Sequence, residues 1–117
     1  MQDQVTLYWW RSWSSCRKVR ELLLQNGMEI EERDFFKDPF SQEEIQRLAL
    51  NDGLGYLFAR RSPSLKKLGL DGQNLTDSRM MELMLQEPRL IRRPLVLIGS
   101  RLLVGANMKM IEAALQG

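Results

Sequence analysis

Polar and apolar residues alternate over Gln4-Val-Thr-Leu-Tyr-Trp9, which is the period of a half-buried strand. The period then changes. Val19, Leu22, Leu23 and Leu24 recur at helical spacing, with Ser14 and Ser15 offering N-cap hydroxyls in front and Asn26-Gly27 closing behind. Residues 28–34 alternate weakly and read as a second strand, parallel to the first if the intervening helix is a right-handed crossover. Ser41-Gln42-Glu43-Glu44 has capping-box spacing and predicts a helix running to about Asn51. Asp52-Gly53-Leu54-Gly55 interrupts it, and short helical pieces are expected over 56–58 and 64–68 before Gly69 and Gly72 break the chain again. Residues 76–86 form a further helix, whose Met80, Met81, Leu83 and Met84 are read as core filling. Two apolar runs, 95–98 and 101–104, flank Gly99-Ser100 and form a hairpin, after which Asn107 caps a last helix over 108–115. The order β-α-β, helices, β-β-α is that of a thioredoxin-like α/β domain: a mixed four-stranded sheet with flanking helices and a central helical insertion.

Composition narrows the chemistry. The 117 residues suit one compact domain, and seventeen basic against fifteen acidic side chains leave a net charge of only +2, which demands no direct nucleic-acid partner. No apolar run approaches a membrane span, and Met1-Gln2-Asp3-Gln4 lacks the basic start of a targeting segment, so the expectation is a cytoplasmic protein with no membrane contact. The chain has no histidine and one cysteine, Cys16. Serine–histidine and cysteine–histidine nucleophile pairs are excluded, as are histidine or multi-thiolate metal sites, and no metal or bound cofactor is expected.

Trp13-Ser14-Ser15-Cys16 has the spacing of a Cys-x-x-Cys motif with tryptophan in place of the first thiol. With no second cysteine, intramolecular disulfide chemistry is ruled out and the chain is not a dithiol oxidoreductase. Two readings of Cys16 stand side by side. At the start of a helix and followed by Arg17 and Lys18, it has the surroundings that favour a thiolate; facing inward, it is a small core residue of little reactivity.

Leu7-Tyr8, Ser15-Cys16-Arg17-Lys18, Arg60-Arg61-Ser62, Leu65-Lys66-Lys67-Leu68 and residues 88–94 (Pro-Arg-Leu-Ile-Arg-Arg-Pro), in this order and spacing, resemble the glutaredoxin-like arsenate reductase family and the related Spx-type transcriptional regulators. Residues 101–107 look like the Spx branch, whereas the short run after the last helix, without the regulators' basic tail, looks like the reductase branch.

The reductases place their nucleophilic cysteine where this chain has Trp13, and their preceding proline where it has Arg11, so the resemblance does not carry arsenate reduction with it. It does imply an anion or substrate site drawing on Arg61 and on Arg93 beside a cis Pro94, with Arg17 as a further cation near the thiol; the family's third arginine has no match. Guanidinium groups suit oxyanions through their planar, bidentate donors. Two functions follow. One is a monothiol redox or redox-sensing role through Cys16, with glutathione or a thiol protein as co-substrate. The other is a non-catalytic adaptor that, like the Spx-type regulators, contacts the C-terminal domain of the RNA polymerase α subunit. Trp13 is an interaction candidate for that role, as is whichever of Gly53 and Gly55 matches the regulators' contact glycine.

Overall fold

The computed structural model describes residues 4–116. Met1–Asp3, where no targeting signal was expected, lie outside the described residues. The chain divides into two compact units. One runs up to Asp38 and resumes at Arg93; the other is Pro39–Arg92.

The first unit is built on a four-stranded sheet of order β2-β1-β3-β4. Strand β1 (Val5–Trp9) buries Val5, Leu7 and Trp9 and leaves Thr6 and Tyr8 half-buried, as its alternation predicts. Helix α1 (Ser14–Gln25) turns Cys16, Val19 and Leu23 inward, a spacing of three and four residues that lines one helical face. Asn26 follows it, and its side-chain amide donates to the Leu22 carbonyl at 2.8 Å. The chain returns as β2 (Ile30–Asp34), parallel to β1 with Val5 opposite Ile30 and Trp9 opposite Asp34.

The hairpin follows expectation. Strands β3 (Leu95–Ile98) and β4 (Arg101–Val104) are antiparallel, and β3 also lies antiparallel to β1 with Val5 opposite Ile98. Helix α6 (Met108–Gln116) is capped by the Asn107 side chain, whose Oδ1 accepts from the Met110 amide at 2.9 Å. Val5, Leu7, Cys16, Val19, Leu23, Val96, Leu103 and Ile111 form one core. Fully burying each larger aliphatic side chain contributes roughly 1.5–3 kcal/mol.

The second unit is helical. Ser41 and Glu44 form the predicted capping box at the head of α2 (Gln42–Leu48), with the Ser41 hydroxyl accepting from the Glu44 amide at 3.2 Å and the Glu44 carboxylate accepting from the Ser41 amide at 3.0 Å. The helix stops at Leu48 rather than Asn51. Leu50 is 77% exposed, so no buried contact draws the helix onward. Helices α3 (Leu54–Leu57), α4 (Pro63–Lys67) and α5 (Asp77–Gln86) follow, and α5 buries Met80, Met81, Leu83 and Met84 as core. A 3-10 turn at Pro88–Leu90 brings Ile91 opposite Phe58 in a short antiparallel bridge. The Leu90 and Leu57 carbonyls accept from the Ala59 and Arg92 amides there, at 2.7 and 3.0 Å.

The thioredoxin-like architecture is therefore as the sequence indicated, a mixed sheet with flanking helices and a helical insertion between β2 and β3.

Candidate functional site

The segment between β1 and α1 carries the candidate residues. The expected serine cap is not formed. Trp13 is the N-cap residue of α1, with extended backbone angles and no side-chain cap bond, and Ser14 and Ser15 lie inside the helix. The reason is the preceding turn: the Trp13 amide donates to the Trp10 carbonyl at 3.0 Å, and the Trp13 carbonyl then accepts the Arg17 amide at 3.2 Å, so the helix has begun before either hydroxyl could cap it.

That register decides the fate of Cys16. It sits on the same helical face as Val19 and Leu23 and is 0% exposed within the core. The direction expected for an activated thiolate is reversed, because burial pushes the Cys16 thiol above its ordinary range. A hydrogen bond with the Trp10 backbone and the charge of Arg93 pull the other way, with less effect than burial; Asp34 adds to the rise. A neutral, enclosed thiol is neither a good nucleophile nor accessible to a co-substrate.

The surface beside it is aromatic. Trp13 is 41% exposed and stacks on Trp10 at 5.9 Å, and Trp10 lies nearly parallel to Phe36 at 4.3 Å. The Arg93 guanidinium is 4.3 Å from the Trp13 ring centre, 5.4 Å from Trp10 and 5.5 Å from Phe36. Cation–π contacts of this kind stabilise by about 0.5–2 kcal/mol and hold a guanidinium against rings. Arg93 is thus brought together with Trp13, and the Arg93–Pro94 peptide is cis as the resemblance implies. Trp13, Ser15, Lys18, Arg93, Pro94 and Asn107 line a cavity of about 260 Å³, to which Cys16 does not contribute.

Arg17 is placed elsewhere. It is exposed, and its guanidinium donates to the Arg11 carbonyl at 3.3 Å, bracing the turn. The turn is also tied to β2, where the Asp34 carboxylate accepts from the Arg11 amide at 3.3 Å and the Phe36 amide at 3.0 Å.

Arg61 belongs to the helical unit, in a second cavity of about 400 Å³ lined by Gly55, Tyr56, Arg60, Arg61, Ser62 and Arg92 among others. Arg60, Arg92 and Tyr56 were not named as site residues from the sequence, although Arg60 and Arg92 stand in the motifs that carry the resemblance. The adjacent pairs Arg60-Arg61 and Arg92-Arg93 were the available signal, but only folding shows that both members of the first pair and Arg92 of the second line this cavity while Arg93 lines the other.

Gly53 and Gly55 become distinguishable. Gly53 caps α3 with φ 84° and ψ 163°, a region that glycine alone occupies freely, so its identity has a backbone cause. Gly55 has no such angle. A Cβ there would lie 3.2 Å from Nη2 of Arg60, so its lack of a side chain gives that arginine room.

Among the described residues no cluster of side chains is fit to hold a metal ion, and no helix is long and apolar enough to cross a membrane.

Comparison with known proteins agrees with this architecture. A family model described as the ArsC family matches residues 8–114. The regulatory protein MgsR of Bacillus subtilis is 31% identical over 109 residues, spanning 92% of this chain and 86% of that protein. The global transcriptional regulator Spx of Listeria innocua is 36% identical over 105 residues, spanning 88% and 80%. A solved structure named YFFB superposes with a TM-score of 0.85 at 26% identity, covering 96% of this chain and 99% of the other. With the sheet order and a match along nearly its whole length in agreement, the chain belongs to the ArsC family.

Proposed function

We propose that this chain is a cytoplasmic, non-catalytic member of the family that acts by binding a protein, in the manner of an Spx-like transcriptional adaptor, with the C-terminal domain of the RNA polymerase α subunit as its partner. One observation carries this reading. The only thiol of the chain is 0% exposed in the core, and the place where a family nucleophile would stand is a half-exposed tryptophan stacked on Trp10 and covered by Arg93. A site arranged in this way has no group to attack sulfur or arsenic, but it has the tryptophan and arginine surface that interfaces favour. The curated relatives MgsR and Spx are named as regulators, which supports the same direction.

The test is retention of purified RNA polymerase α subunit on the immobilised chain. Retention that survives Cys16→Ser supports the adaptor; no retention removes it.

A second reading, a glutathione-linked monothiol role, draws on the Arg93 charge and the Trp10 backbone bond, both of which favour the thiolate. It requires the thiol to become exposed by local opening. A glutathione adduct at Cys16 in intact mass after mild oxidation of the folded protein would support it, and an unmodified mass would exclude it.

A further inference from the structure

The second cavity carries a charge arrangement that the adaptor reading has not used. Arg60, Arg61 and Arg92 line it with the Tyr56 ring and the Ser62 side of α4, and no carboxylate is among the lining residues. With no carboxylate among them, these guanidiniums leave the cavity with a single, positive sign of charge, which attracts anionic groups. Two of the three guanidiniums are held in place. Arg92 donates to the Tyr56 carbonyl at 3.1 Å and lies 4.9 Å from the Tyr56 ring centre. Arg60 reaches Sδ of Met80 at 3.8 Å and runs close over Gly55, where a Cβ would crowd it. Arg61 is exposed and is paired with no carboxylate among the described residues. The basic character continues along the chain: between Gly53 and Leu70 the charged residues are Arg60, Arg61, Lys66 and Lys67, with no acidic one.

We infer that the cavity lined by Arg60, Arg61 and Arg92 receives a short acidic segment of a partner protein. This rests on the protein-binding reading above and names the chemistry of the partner's surface. Positioned guanidiniums bind carboxylates bidentately, and the 45% exposed Tyr56 supplies an apolar face beside them. Charge argues against a long polyanion. Five of the seventeen basic side chains are Arg60, Arg61, Lys66, Lys67 and Arg92, so elsewhere twelve basic groups face fifteen acidic ones. A nucleic-acid backbone running past the cavity would meet a net negative remainder, whereas a short acidic segment ends before it does.

The experiment is fluorescence anisotropy with the full chain and three labelled probes: a glutamate-rich peptide, its glutamine counterpart and a short DNA duplex. The glutamate peptide is expected to bind at least about tenfold more tightly than the glutamine one, since bonds to charged groups are the stronger ones. Added salt weakens its binding. Arg60→Ala and Arg61→Ala each weaken it by about tenfold, while Arg101→Ala, in β4 of the other unit, changes it by less than about twofold because a lone surface charge contributes little. Arg61 is exposed and paired with no carboxylate among the described residues, so Arg61→Ala keeps the test valid if Arg60→Ala unfolds.

Equal binding of both peptides, indifference to Arg61→Ala, or tighter binding of the duplex than of the glutamate peptide overturns the inference. Retention of the α subunit without binding of the glutamate peptide overturns this inference alone. Peptide binding without retention of α supports it and removes the proposed partner instead.

Discussion

Alkylation of Cys16 in the folded protein is expected to be slow and to shift toward high pH. The thiol is enclosed by Val19, Leu23 and the inner face of the sheet, so a reagent reaches it only when α1 opens away from that core. If opening costs about 5 kcal/mol, the low end of whole-domain stabilities, the reaction runs about 5,000-fold slower than with free cysteine. The pH profile adds a second, independent readout. Burial raises the Cys16 pKa in the native state. The native state then holds the proton more tightly than the open one, and opening becomes easier as pH rises. Multiplying that opening constant by the thiolate fraction of the open state gives a rate whose midpoint is the native pKa, above the free-thiol value of about 8.5. For the same reason the thiol's contribution to stability is complete below about pH 8.5 and is lost as pH rises through the native pKa. The assay is iodoacetamide labelling across a pH series, quenched and weighed by mass spectrometry, with the denatured chain as reference. A rate within about tenfold of the denatured chain, with a midpoint below about 8.5, would refute the argument and identify an accessible thiolate.

Further outcomes follow from the same geometry. Cys16→Ser places a hydroxyl in an apolar core and is expected to destabilise by about 1–3 kcal/mol in denaturant titration; an unchanged midpoint would show that the site is wet. Trp13→Ala removes one ring from the stack with Trp10 and the nearest ring to Arg93. It is expected to cost about 1 kcal/mol, and the loss should shrink sharply when Arg93 is already alanine, as a double-mutant cycle would read. Gly53→Ala forces a Cβ into a region occupied by glycine and costs about 1–3 kcal/mol. Gly55→Ala costs less, because the atom it crowds is the movable tip of Arg60; equal losses at the two positions in thermal denaturation would count against this distinction.

The sequence by itself determined the elements that neighbours in the chain can specify. Alternation over Val5–Trp9, the Ser41–Glu44 capping box, Asn107 at the head of α6, and the Gly99-Ser100 hairpin all act over a few residues, so their pattern is written locally. The order of those elements pointed to the mixed sheet, and the family resemblance added the cis proline. Loss of the dithiol was equally plain, since it needs only a count of cysteines. The tertiary structure alone decided what each candidate side chain does. Ser14 and Ser15 were read as caps because a hydroxyl before a helical run normally is one, but the Trp10–Trp13 turn starts α1 earlier and rotates Cys16 into the core. Arg17 follows Cys16 in sequence yet serves the Arg11 carbonyl, while Arg93, distant in sequence, lies over Trp13. Arg60, Arg61 and Arg92 line one cavity although more than thirty residues separate Arg60 from Arg92, and Arg93, next to Arg92 in sequence, falls in the other unit. Charge, pKa and exposure depend on what surrounds a group in space, and that environment is set by contacts between segments far apart in the chain.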